Sequence, residues 1–120
     1  MTPTRLNTYL NFGGNCERAF RFYELHLGGE ITMLMRRAEQ PDQTDTWAGW
    51  EQSIQYAIMK IGETELMGAD VAPERFQPMR SVYLSLTVNS ANEAERIYTL
   101  LSDGGQVFMA MEETFFDARS

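Results

Sequence analysis

Tyr9-Leu10-Asn11-Phe12, then an apolar stripe through Ala19, Phe22-Tyr23 and Leu25, then Gly28-Gly29-Glu30-Ile31 and Met33, form a stretch that this chain writes twice. The second copy reads Tyr83-Leu84-Ser85-Leu86, then Ala94, Ile97-Tyr98 and Leu100, then Gly104-Gly105-Gln106-Val107 and Met109. The offset stays near ~75 residues, longer than the usual period of a solenoid repeat. Two copies of a strand–helix–strand unit at that spacing read as a duplicated module. Paired modules commonly bind ligands where they meet.

Outward from the first copy, residues from about Leu6 to Phe12 alternate and end at Gly13-Gly14, a strand entering a turn. Asn15 stands where a helix N-cap belongs. Cys16, Ala19, Phe20, Tyr23 and Leu27 then fall at helical spacing on one apolar face, and Gly28-Gly29 supplies the stop. Glu30 to Arg36 reads as a second strand. Strands at about Ser53–Ile61 and Glu63–Ala69 flank Gly62-Glu63, a hairpin turn. Between Ala38 and Gln52 runs a polar loop that carries Trp47 and Trp50, and loops of that length are commonly functional.

The stretch from Asp70 to Met79, with Pro73 and Pro78, is linker-like and lies where the two units should join. In the second copy, Arg80 to Asn89 alternates as a strand, Ser90 and Glu93 form a capping-box signature, and Ala94, Ile97, Tyr98 and Leu101 give the next helix its buried stripe. Gln106 to Met111 returns as a strand. By the logic of the repeat, the last two strands of the second unit are missing, which predicts an unpaired sheet edge.

A chain of 120 residues is one domain by size. Hydrophobic content of 43% and charged content of 22% match ordinary globular proteins. A net charge of −7 argues against nucleic acid or an anionic membrane as a partner. The basic residues are scattered, with Arg36-Arg37 the densest pair. The single cysteine, Cys16, excludes an internal disulfide and fits a reducing compartment. The N-terminus lacks an apolar signal core and no run reaches transmembrane length, so the expected location is the cytoplasm.

The duplicated pattern, with Phe22-Tyr23 in mid-helix and Leu27-Gly28-Gly29 at its end, resembles the vicinal oxygen chelate superfamily. Glyoxalase I, extradiol dioxygenases and the bleomycin-resistance proteins belong to that superfamily. Its PhnB-like branch is closer. The run from Tyr9 to Tyr23 resembles that branch's opening, as do Ala57 to Asp70 and Glu113-Thr114-Phe115-Phe116. The resemblance implies an α+β fold of two βαβββ-type modules with curved mixed sheets and helices outside. Module one would span about 1–70, the linker about 71–79 and an incomplete module two about 80–120. It also implies a homodimer and a cup-shaped cavity in each curved sheet.

The resemblance places metal ligands of the metal-dependent members on inward strand positions. Those positions fall here on Thr8, Tyr83 and Glu65, while Tyr56 stands where PhnB-like sequences often carry a histidine. Only Glu65 has a ligand's chemistry, so no metal and no cofactor are expected. His26, the one histidine, reads as a helix packing or surface residue, and Cys16 as a buried thiol. The pocket candidates are Thr8, Tyr9, Tyr56, Glu65 and Tyr83, with Trp47 and Trp50 as a lid or dimer contact. Phenols bind ligands by stacking plus a hydrogen bond. The methionines, Met33, Met35, Met59, Met67, Met109 and Met111 among them, offer adaptable apolar surface.

Three functions follow. One is a binding module for a small apolar or aromatic molecule without metal chemistry. The second is a metal-dependent lyase, isomerase or dioxygenase of the glyoxalase kind. The third is an inactive truncated domain that acts through dimerisation.

Overall fold

The computed structural model describes residues 3–39, 49–78 and 82–103. The expected strand over 106–111 and the residues Trp47, Phe115 and Phe116 lie outside that set. The chain divides into two compact units, residues 1–78 and 79–120. Among the described residues no helix is long and apolar enough to cross a membrane.

The first unit runs strand β1 (Thr8–Phe12), helix α1 (Cys16–His26), then strands β2 (Glu30–Arg36), β3 (Ile54–Ile61) and β4 (Thr64–Asp70). The βαβββ order read from the sequence is therefore present in this unit. The sheet order is β1-β4-β3-β2, with β1 parallel to β4 and the other pairs antiparallel. Gly62, at φ 58°, opens the two-residue turn between β3 and β4. A single 3₁₀ turn, Arg37–Glu39, follows β2.

Helix α1 packs on one face of the sheet. Cys16 and Phe20 are fully buried against Leu10, Phe12, Ile54, Ala57 and Met59, with Ala19, Tyr23, Ile31, Leu34, Ile61 and Leu66 packed around them. The predicted helical stripe thus faces this core. Ring contacts knit it: Phe12 meets Phe20 edge-on at 6.1 Å, and Phe20 meets Tyr23 at 6.2 Å. Beneath Phe20 and Phe12 the sheet carries Gly68, where an added Cβ would lie 3.0 Å from Phe20 Cε1 and 3.2 Å from Phe12 Cε2. A helix can sit this close only because that position has no side chain.

Strand β2 carries a register shift between Ile31 and Met33. The extra residue, Thr32, is what lets Ile31 and Leu34, three positions apart, both pack toward the core. A second shift between Met35 and Arg36 accompanies Ile54 onto the core side.

Both ends of α1 depart from or refine the sequence reading. At the C-terminus Gly28 adopts φ 73°, the left-handed conformation that ends a helix, and Leu27 N–H donates to Tyr23 O at 2.8 Å. At the N-terminus Asn15 occupies the N-cap position, but its side chain makes no capping bond. The cap comes from Asp70 instead. Its Oδ1 accepts from Gly14 N–H at 2.9 Å and Cys16 N–H at 3.0 Å, and its Oδ2 accepts from Ile54 N–H at 2.8 Å. A buried carboxylate at the end of β4 satisfies the helix start and the β3 start together, so a local cap has nothing left to do there.

In the second unit, helix α2 (Ala91–Ser102) starts as predicted, with Ser90 Oγ accepting from Glu93 N–H at 3.1 Å. The Glu93 carboxylate engages Arg96 at 2.7 Å. Ile97 is buried, whereas Leu101, expected in the stripe, stays 45% exposed. The expected strand at Arg80 to Asn89 requires correction. Residues 82–89 form no strand, and Val82, Tyr83, Leu84 and Leu86 are exposed. Alternation specifies faces, but a strand also needs a hydrogen-bonded neighbour. Among the described strands, none pairs with this segment.

Candidate functional site

The sheet of the first unit has a second face, turned away from α1. Strand alternation and register assign its occupants. One cross-strand row runs Tyr9, Met67, Ile58 and Met33; the next runs through Asn11 and Ala69 on β1 and β4 and through Tyr56 and Met35 on β3 and β2. Glu65 and Lys60, paired across the β3–β4 ladder, extend the same face toward the hairpin. Tyr9 is 47% exposed and Met33 40%, so apolar surface lies open here.

Tyr9 and Tyr56, named from the sequence as candidates, come together on this face. Their rings are near parallel, with centroids 6.2 Å apart and an interplanar angle of 25°. Burial raises the Tyr9 phenol above its ordinary pKa, with Tyr56 and Cys16 adding to the rise and Arg37 opposing it. The phenol therefore stays protonated at neutral pH, able to donate as well as accept a hydrogen bond.

The other candidates disperse. Thr8 shares its face with Leu10 and Phe12, so alternation turns it away from Tyr9. Tyr83 belongs to the second unit and is 88% exposed. Trp50 is half-buried, its indole 3.7 Å from where a Cβ on Gly14 would stand, which puts it over the β1–α1 turn. His26 packs on Phe22 one turn earlier, ring centroids 4.5 Å apart, as the helical reading expected. Cys16 is buried, and burial, with the nearby charges of Asp70 and Glu17, pushes its thiol up to about 12. That thiol is no nucleophile at neutral pH.

The positions that the resemblance assigns to metal ligands do not fit a metal centre. Thr8 and Glu65 lie on opposite faces of the sheet by alternation, and a lone carboxylate is far short of the three or four donors a transition ion needs. Among the described residues no group of three His, Cys, Asp or Glu side chains converges.

Two residues that organise the region escaped the sequence reading. Asp70 is one. The other is Arg37, buried and bonded through Nε to Ser53 Oγ at 3.0 Å, through Nη1 to Gln55 Oε1 at 2.6 Å and through Nη2 to the Asp70 carbonyl. Ser53 Oγ in turn donates to the Trp50 carbonyl at 2.7 Å. The Arg36-Arg37 pair is thus split, since Arg36 faces outward to Glu17 on α1 at 2.7 Å. No spacing rule signals such a long-range network. A shallow depression at the start of α1, lined by Gly14, Asn15, Glu17 and Arg18, offers little to an anion because Asp70 already holds the Gly14 and Cys16 N–H groups.

Comparison with known proteins places this geometry. No family model matches the chain. Protein PA1353 from Pseudomonas aeruginosa, a crystal structure, is 33% identical and superposes with a TM-score of 0.83 over 94% of this chain and 83% of its own. The PhnB protein from Bacillus cereus is 23% identical and shares the fold, with a TM-score of 0.76 over 94% of this chain and 84% of its own. Protein YjdN of Escherichia coli strain K12 is 28% identical over 119 residues, covering 92% of this chain and 81% of YjdN. With the opening run from Tyr9 to Tyr23 and the βαβββ unit observed, the chain belongs to the PhnB-like branch of the vicinal oxygen chelate, or glyoxalase-like, superfamily.

Proposed function

We propose that this protein holds a small apolar or aromatic molecule on the open face of its first unit, without metal chemistry. The observation that supports this reading is the composition of that face. Tyr9, Met33, Met35, Tyr56, Ile58 and Met67 share one side of the sheet, the side that α1 does not cover. Tyrosines offer a stacking surface with a polar tip, and methionines mould to irregular shapes. Neither brings a group suited to proton abstraction or nucleophilic attack at neutral pH. Binding, rather than a glyoxalase-type isomerisation, lyase step or dioxygenation, is what these side chains support.

In this reading the unit that carries α2 is a second module, joined to the first by a linker at about 71–79. The protein works in the cytoplasm as a homodimer. The exposed apolar run Val82, Tyr83, Leu84 and Leu86 favours self-association, since burying such side chains contributes about 1.5–3 kcal/mol each. A role through dimerisation alone is the second reading, and the same run supports it.

A thermal-shift and calorimetric screen of small apolar and aromatic compounds tests the binding role, with light scattering over a dilution series to test the dimer. Binding by the wild type that weakens in Tyr9→Leu supports the reading. A dimer that binds nothing in the screen favours association alone. Stoichiometric retention of added nickel, zinc, iron or manganese after dialysis would restore a metal-dependent enzyme, with Glu65 as the first ligand to replace.

A further inference from the structure

Tyr9 and Tyr56 are not on neighbouring strands, because β4 runs between β1 and β3. Adjacent strands lie about 4.8 Å apart, so phenols separated by a whole strand meet only by leaning across it. The position between them is small. Ala69 of β4 stands opposite Asn11 of β1. Because Ala57 pairs with Gly68, the next step of that antiparallel ladder brings Tyr56 level with Ala69. Ala69 carries only a methyl group and is 6% exposed. Met67, paired with Tyr9 on one side and Ile58 on the other, lies in the adjoining row.

We propose that Tyr9 and Tyr56 form a clamp for a flat aromatic ring, which enters between the two phenols and rests on Ala69 and Met67. This deepens the binding function proposed above and depends on it. A planar ring sits about 3.5–4.0 Å from each face that holds it, so a filled clamp has its phenol centroids about 7–8 Å apart. The present separation is 6.2 Å with only 25° between the planes. Reaching that face-to-face separation is a side-chain movement, and Tyr9, on the edge strand among the described strands and 47% exposed, has room to make it. When empty, the phenols hold each other within the favourable range for aromatic pairs, about 4.5–7 Å. When filled, each exchanges that contact for one with the guest. A saturated ring of the same skeleton is thicker and lacks π faces, so an apolar surface accepts it whereas a clamp does not. The protonated Tyr9 phenol and the chain's charge of −7 favour a neutral guest over an anionic one.

The test uses the full-length protein and a matched pair of probes, 1-naphthol and decahydro-1-naphthol, with affinities measured by calorimetry. The clamp predicts that 1-naphthol binds at least tenfold more tightly than its saturated counterpart. It also predicts that Tyr9→Leu, a substitution at a half-exposed edge position, removes most of that preference. Ala69→Leu, which fills the floor, should abolish 1-naphthol binding, with circular dichroism confirming the fold of each variant. Equal affinity for both probes overturns the clamp while the apolar binding face stands. A preference for 1-naphthol that survives Tyr9→Leu also overturns it. If neither probe binds at millimolar concentration, the binding face itself is refuted, and the clamp with it.

Discussion

Replacing Asp70 by Asn tests the most consequential contact in the fold. The carboxylate accepts three backbone N–H groups, two on Oδ1 from Gly14 and Cys16 and one on Oδ2 from Ile54. An amide keeps one acceptor oxygen. If that oxygen stays with Gly14 and Cys16, the NH2 group faces Ile54 N–H, donor against donor. Ile54 is fully buried, so its orphaned N–H costs about 1–3 kcal/mol. The two remaining bonds lose their charge assistance, at about 1 kcal/mol each. The sum is about 3–5 kcal/mol, a large share of the ~5–15 kcal/mol that holds a domain folded. Urea titration followed by circular dichroism should show a midpoint lower by about 2 M, given a typical dependence of about 1–3 kcal/mol per molar urea. Asn15→Ala is the paired measurement. Its side chain makes no cap, so the expected cost is within about 0.5 kcal/mol. A loss from Asn15→Ala equal to or larger than that from Asp70→Asn would refute the remote-cap account.

The remaining predictions concern the core, the helix end and pH. Gly68→Ala puts a methyl against two buried rings and should cost about 1–3 kcal/mol, read by the same urea titration. Gly28→Ala meets no neighbour but forces a left-handed residue, for about 1–2 kcal/mol, and Gly28→Asn should recover much of it. Cys16, pushed up to about 12 when folded against about 8.5 in the unfolded chain, keeps its proton longer in the native state. Its contribution to stability is therefore complete below about pH 8.5 and declines by about 1.4 kcal/mol per pH unit above that, until the folded value is reached. Tyr9 and Tyr23, also raised, act with the same sign from about pH 10. Urea titrations from pH 8 to 10 should show this decline in wild type and a shallower one in Cys16→Ala; equal slopes would count against it.

The chain by itself determined what depends on local periodicity. The apolar spacing of Cys16, Ala19, Phe20 and Tyr23, the glycine stop at Gly28 and the hairpin at Gly62-Glu63 each express a backbone preference within a few residues. Together they specified a βαβββ unit and the family. Tyr9 and Tyr56 were named as candidates for the same kind of reason, since each stands on a strand in the right phase. Only the tertiary structure decided which residues meet. A period of two says that Thr8 and Tyr9 face opposite ways, but not which way the helix lies. That Tyr9 reaches Tyr56 across Ala69 depends on β4 inserting between β1 and β3, a pairing between segments more than forty residues apart in sequence. Asn15 stands at the N-cap as read, but for the same reason the side chain that accepts the helix-start N–H groups is a remote one. Sequence proximity favoured the neighbouring amide, while the parallel pairing of β1 with β4 carried a carboxylate 54 residues away from Cys16 to the helix start. The strand expected at residues 80–89 shows the converse limit, because alternation supplies two faces and only a paired neighbour supplies the hydrogen bonds.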